Sequence, residues 1–276
     1  MKICGKVILA GEHAVVYGKM ALAASISLGV RVSVVESGGS EKNPIVDKAI
    51  KVAGGDEDIL LKIESELPIG SGLGSSAAVA AATIKAVREY LCKPINEEEL
   101  FKLTFECEKI AHGNASGLDP AAVVYGGLIA YTKGQSFERL RIKQPIKLLL
   151  LNSGKPDEST KEMIELVAAK QANIVVIDKI AELVKQIREA LLNGLEIADL
   201  INQNGLLLEE LGVVGDRAIE LSAQLRQMGA SVKIAGAGGV KTGSGMMIVM
   251  QDDLTQIKKL LDNKKIDYFE TVIGGK

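Results

Sequence analysis

Hydrophobic positions in the first 36 residues come in short runs, Val7-Ile8-Leu9, Ala14-Val15-Val16 and 30–35, set off by glycines; this predicts a β-rich opening. Asn43 to Val52 predicts a short helix, and the apolar, β-branched run 59–63 predicts a strand. Residues 77–91 are strongly helix-forming. Asn96 caps a predicted helix over 97–112, with Glu97, Glu98 and Glu99 in the first turn, where the helix dipole favours them. Residues 113–120 predict a polar loop, and 121–131 a small, apolar stretch broken at Gly126-Gly127. A basic segment at 139–147 contains Pro145, and the domain boundary is placed between residues 144 and 145. Beyond it, 148–151 predicts a buried strand, and 158–228 three or four helices broken near Asn193-Gly194 and Gly212-Val213. Strands over 231–235, 246–250 and 268–273, with a helix over 253–262, complete an α+β second half.

Between the strand at 59–63 and the helix at 77–91 lies the segment hardest to explain by packing. Gly70, Ser71, Gly72, Leu73, Gly74, Ser75 and Ser76 follow Pro68 and run straight into the helix. A strand, a glycine loop and a helix start leave backbone N–H groups without partners and bring the positive end of the helix dipole to the loop. Glycines permit positive φ and close approach of an anion, so the natural occupant is a phosphate chain. A plain tight turn with Ser75 as N-cap is the competing reading, and three alternating glycines followed by two serines weigh against it. The loop is neither a Walker motif nor a Rossmann fingerprint, because the Lys-Ser/Thr ending and the distant acidic residue are both missing.

Composition narrows the field. At 276 residues the chain has room for two domains on a prior of about 150 each. A net charge of −2 with no Lys/Arg block argues against a nucleic-acid partner, and 3% aromatic content leaves few stacking platforms. No apolar run approaches the ~20 residues needed to cross a bilayer, and no signal-peptide core is seen, so a cytoplasmic protein without a membrane partner is expected. Cys4, Cys92 and Cys107 are widely spaced, which fits reduced thiols rather than a disulfide frame or a zinc site.

Phosphoryl transfer needs a phosphate cradle, Mg²⁺ on oxygen ligands, a group to orient or deprotonate the acceptor hydroxyl, and a cation for developing charge. The glycine loop is a cradle. Ser75 or Ser76 together with Glu108 could hold the metal, Asp119 could serve as the base and Lys6 as the cation. Glu108 stands four residues before His112 and on the same helix face. His112 itself is read as a helix-end residue with a structural role.

Three segments together resemble the GHMP small-molecule kinase family and, within it, the members acting on mevalonate. They are Gly5-Lys6-Val7-Ile8-Leu9-Ala10-Gly11-Glu12-His13-Ala14-Val15-Val16-Tyr17-Gly18, the loop at 68–78, and the string from Glu108 through His112-Gly113-Asn114-Ala115-Ser116-Gly117-Leu118-Asp119. Ser159-Thr160-Lys161-Glu162 and Asn202-Gln203-Asn204-Gly205-Leu206-Leu207 look similar as well. The resemblance implies ATP-dependent phosphorylation of the 5-hydroxyl of mevalonate, a step of isoprenoid biosynthesis. Phosphomevalonate, a sugar or homoserine is the alternative acceptor, and an inactive binding protein of the same fold the alternative class. Ser76 and Glu108 would hold Mg²⁺, Asp119 would be the base with Lys6 beside it, and residues 70–76 would wrap the ATP phosphates. Glu12 and His13 would line the mevalonate pocket, His13 near the carboxylate. The implied fold is α+β with two domains. Residues 1–144 would form a ribosomal-protein-S5-like domain with a left-handed β-α-β crossover, and 145–276 a ferredoxin-like domain, with the site between; a homodimer is left open.

Two segments depart from the family pattern. Ile3-Cys4-Gly5-Lys6 stands where the family has Ala-Pro-Gly-Lys, and the third glycine segment, 236–245, is about three residues longer than usual and carries Lys241, which is read as solvated.

Overall fold

Alternation of apolar and polar residues makes the first two strands. β1 (Lys2–Ala10) and β2 (Met20–Val35) pair antiparallel from Lys2↔Arg31 to Ala10↔Leu22. The apolar run at 14–16 was expected to continue the β pattern and instead forms a 3-10 turn, Ala14–Tyr17. Left-handed backbone at Gly11, His13 and Gly18 reverses the chain there, so these apolar side chains fill the inside of a corner. Described by the computed structural model are residues 1–41, 43–68, 70–112, 116–135 and 137–274. Residues 113–115 of the expected polar loop lie outside them, and of His112 only its backbone place at a helix end is described.

β2 is long enough to serve two partners along its other edge. Val30 to Val35 pair with β3 (Leu60–Ser65), while Met20 to Ala24 pair with β4 (Leu128–Thr132), and β5 (Glu138–Arg139) adds to β4. Four helices accompany this sheet: α1 (Pro44–Val52), α2 (Ser75–Tyr90), α3 (Glu97–His112) and α4 (Leu118–Tyr125). Asn96 caps α3 as the sequence predicts, accepting the Glu99 amide, while Asn43, read as the first residue of its helix, is instead the cap of α1 and accepts the Ile45 and Val46 amides. The buried face of α2 is mostly alanine (Ala77, Ala78, Ala80, Ala81, Ala82), which brings its backbone close to the sheet. α4 corrects the loop expected to run through Pro120. Pro120 sits in the first turn, where a missing N–H costs nothing, and Asp119 is thereby helical.

The second half begins at β6 (Ile146–Asn152), whose Leu148, Leu149, Leu150 and Leu151 are all buried, as a strand covered on both faces requires. α5 (Thr160–Ala168), α6 (Asn173–Asn193), α7 (Ala198–Glu210) and α8 (Asp216–Gln227) follow, then β7 (Ser231–Ile234), β8 (Met246–Met250), α9 (Thr255–Lys264) and β9 (Tyr268–Ile273). The sheet order β7-β8-β6-β9, antiparallel throughout, is the ferredoxin-like arrangement with extra helices between its first two strands. Backbone hydrogen bonds join the two halves of the chain: the Ile8 amide donates to the Ala235 carbonyl at 3.2 Å, and the Met246 amide to the Ser71 carbonyl at 2.9 Å.

Candidate active site

The glycine loop folds as its composition predicts, with φ of +69°, +81° and +71° at Gly70, Gly72 and Gly74. Gly74, not Ser75, is the N-cap of α2, so the plain Ser75 cap is ruled out. No side chain caps this helix, so its first-turn amides are left free of any side-chain acceptor at the loop. Ser71 turns its hydroxyl back onto the Pro68 carbonyl at 2.7 Å and so offers a ligand only its backbone. Across the groove stand Gly236, Ala237 and Gly238 of the third glycine segment. A Cβ on Gly236 would lie 3.3 Å from Gly72 Cα, so the two glycine backbones pass each other closely.

The longer third segment is folded rather than loose. The amides of Val240 and Lys241 donate to the Glu158 carboxylate at 3.4 and 3.1 Å, and the Thr242 hydroxyl donates to the Lys155 carbonyl at 3.0 Å. Ser244 Oγ donates to the Gly239 carbonyl and accepts the Gly215 amide. Lys241 is exposed, as expected.

β1 delivers Lys6 beneath this loop. Its Nζ is almost fully buried, donates to the Gly72 carbonyl at 3.0 Å and pairs with Asp119 Oδ1 at 3.0 Å. Asp119 borders both the groove that runs along residues 70–76 and a neighbouring cavity. Glu108 of α3 lines the same cavity. Burial, and then the Asp119 charge, push its carboxyl up to about 8, against the pull of Lys6 and the Gly117 amide. Its Oε2 is buried without a hydrogen-bond partner. An orphaned carboxylate oxygen beside a second carboxylate suits a hard divalent cation. Among the described residues no group of three or more His, Cys, Asp or Glu is placed to hold a metal ion. Ser75 and Ser76 line the groove itself.

The cavity's polar side is Lys6, Glu12, His13, Glu108 and Asp119; Val15, Val16, Leu118 and Ile164 supply its apolar side. His13 Nε2 donates to the Ala237 carbonyl at 2.9 Å, which leaves Nδ1 as the acceptor. Burial lowers the imidazole to about 4, so it is neutral at neutral pH. Glu12 is buried and paired with Lys233 of β7. The sequence reading missed Lys233, although a lone lysine in the apolar strand Ser231-Val232-Lys233-Ile234 was the available signal. It also gave no role to Thr160 and Ile164, which α5 brings to the cavity at i, i+4 spacing.

Residues 44–127 match the family described as GHMP kinases N terminal domain, small-molecule kinases by class. A mevalonate kinase of Archaeoglobus fulgidus is 38% identical over 255 residues, spanning 85% of this chain and 87% of that protein. The chain belongs to the mevalonate kinase family. The structure of the L. major mevalonate kinase in complex with R-mevalonate superposes with a TM-score of 0.82 at 25% identity, covering 99% of this chain and 94% of that one. The Methanococcus jannaschii mevalonate kinase shares the fold, with a TM-score of 0.82 at 22% identity over 99% and 97% of the two chains.

Proposed function

We propose that the cleft transfers the γ-phosphoryl group of ATP to the 5-hydroxyl of mevalonate, giving 5-phosphomevalonate and ADP. The observation that carries the reading is the Lys6–Asp119 pair at the junction of groove and cavity. A triphosphate lying along residues 70–76 would meet the first-turn amides of α2 and the positive end of its dipole. An alcohol in the cavity would meet Asp119. Its carboxylate accepts the hydroxyl proton as the oxygen attacks the γ-phosphorus and the bond to the β-phosphate oxygen breaks. Lys6 offsets the charge on Asp119 and on the entering phosphoryl group. Ser76 and Glu108 would hold Mg²⁺, which neutralises phosphate charge when bound. His13 and Glu12 border the acceptor; a carboxylate placed beside His13 would favour its protonated form.

In this reading residues 1–144 and 145–276 are two domains that share the substrates between them. An enzyme using cytosolic ATP with three free cysteines belongs in the cytoplasm.

The test is ADP release with Mg²⁺-ATP over a panel of mevalonate, phosphomevalonate, galactose and homoserine. Turnover confined to mevalonate is expected. Turnover on another alcohol with none on mevalonate overturns the acceptor, and ATP binding without turnover on any of them points to a binding protein.

A further inference from the structure

Lys233 is among the largest fully buried side chains of the protein, yet it carries a charge. All three of its N–H donors are used: one on Glu12, one on the Ile8 carbonyl at 2.9 Å and one on the Ile234 carbonyl at 2.7 Å. Two of these acceptors belong to the first half of the chain, and the lysine itself stands on β7 of the second. The neighbouring contacts run the same way. The Ile8 amide bonds the Ala235 carbonyl, and His13 Nε2 bonds the Ala237 carbonyl. β7 and the segment after it thus grip the Gly11-Glu12-His13 corner at two points, Glu12 and His13, and the strand leading into it at Ile8.

That corner needs gripping. Gly11 and His13 have φ of +96° and +60°, so Glu12 sits between two left-handed residues, one of them not glycine. Such backbone persists only where its surroundings over-determine it. Glu12 spends one oxygen on Lys233, and Oε2 is buried with no protein partner in a residue that lines the acceptor cavity. A buried ion pair adds little net stability over apolar side chains of similar volume, so stability alone does not account for this one.

We propose that Lys233 is a positioning residue for the acceptor: acting through Glu12, it fixes the Glu12–His13 corner of the first half against the glycine segment of the second, so that the free Glu12 oxygen and His13 meet the substrate in one arrangement. The inference rests on the reading of the cavity as the mevalonate site. Lys233 lines neither the phosphate groove nor the acceptor cavity, and the two side chains it holds in place, Glu12 and His13, line the cavity and not the groove, so its effect is expected on the acceptor before the nucleotide.

A double-mutant cycle decides it. Glu12→Gln, Lys233→Met and the two together are assayed for KM of mevalonate, KM of ATP and kcat, beside the wild type. Each single change is expected to raise the mevalonate KM by about tenfold or more, the size of a lost hydrogen bond to a charged group. The double variant should be no worse than Glu12→Gln alone, and the ATP KM should stay within about twofold throughout. Should Lys233→Met fail to fold with Glu12 left unpaired, the comparison of Glu12→Gln with the double variant reads the same coupling. Independent, multiplying losses, a parallel rise in the ATP KM, or a double variant that does not fold each make Lys233 a stability element and overturn the proposal. An active wild type with Lys233→Met kinetics unchanged sinks this inference alone; a wild type inactive on mevalonate sinks the acceptor assignment and this inference with it.

Discussion

Asp119, the base of the proposed reaction, stands beside Glu108, whose own carboxyl is pushed up to about 8 by burial and then by the Asp119 charge. Lys6, buried and 3.0 Å away, pairs with Asp119. Asp119→Asn keeps the shape and removes the base, so kcat should fall by about 10²–10⁴ with the ATP KM little changed. Near-normal turnover in single-substrate kinetics would remove Asp119 from the chemistry. His13 supports a prediction of a different kind. Its folded-state value of about 4 lies below the ordinary 6.5, so the unfolded chain binds the proton more readily. Stability assigned to neutral His13 is therefore present above pH 6.5 and is lost as pH falls towards 4, by up to about 3 kcal/mol. Urea titrations of wild type and His13→Gln should diverge in their pH dependence across that window, and parallel curves would show that the imidazole is not held neutral. Lys6, Glu108 and Asp119 stood out as candidates because each lies in a short string rich in chemistry, and the structure brings the three to one cavity. Lys233 did not stand out, since its partner Glu12 is 221 positions away and only the fold joins them.

At the level of elements, the start of α2 controls the site. A Cβ on Gly74 would lie 2.9 Å from Lys6 Cγ, on a backbone already at φ +71°. Gly18 offers a control: its φ is +74°, but nothing lies within 4 Å of an added Cβ. Both alanine variants should lose about 1–2 kcal/mol to the left-handed backbone. Gly74→Ala alone should also raise the ATP KM and lower kcat, because it displaces Lys6 and the first turn of the helix. Equal kinetics in the two variants would show that the loop's shape does not govern the site. Elements bounded by strong local signals were readable in advance, as the Asn96 cap and the last strand, Tyr268–Ile273, attest. The two misreadings share a cause. The 14–16 run has strand composition but is bent by the positive φ of His13, and Asp119-Pro120 has loop composition but fits the first turn of a helix. In both, backbone geometry set by tertiary packing outweighed local preference.

Over the whole molecule the site is a seam. The Ile8–Ala235 and Ser71–Met246 backbone bonds run along it, so the groove and the cavity both draw on the two halves of the chain and exist only when it is folded. A ligand of either site binds the native state alone, and at a hundred times its Kd it should add about 2.7 kcal/mol of stability. For a chain of this size that is a Tm rise of roughly 5–11 °C, at about 2–4 °C per kcal/mol. The two ligands should then separate by their need for metal. In the proposed reading a non-hydrolysable ATP analogue and its Mg²⁺ would engage Ser76 of the groove and the unpartnered Glu108 oxygen of the neighbouring cavity, so chelating Mg²⁺ should shrink its Tm shift markedly. Mevalonate needs no metal to enter the cavity, and its shift should survive chelation. Ser76→Ala should move the Mg²⁺ concentration required for the nucleotide shift upward while leaving the mevalonate shift alone. If chelation abolished both shifts equally, the metal would be holding the fold rather than the nucleotide, and Ser76 and Glu108 would lose their assignment as its ligands.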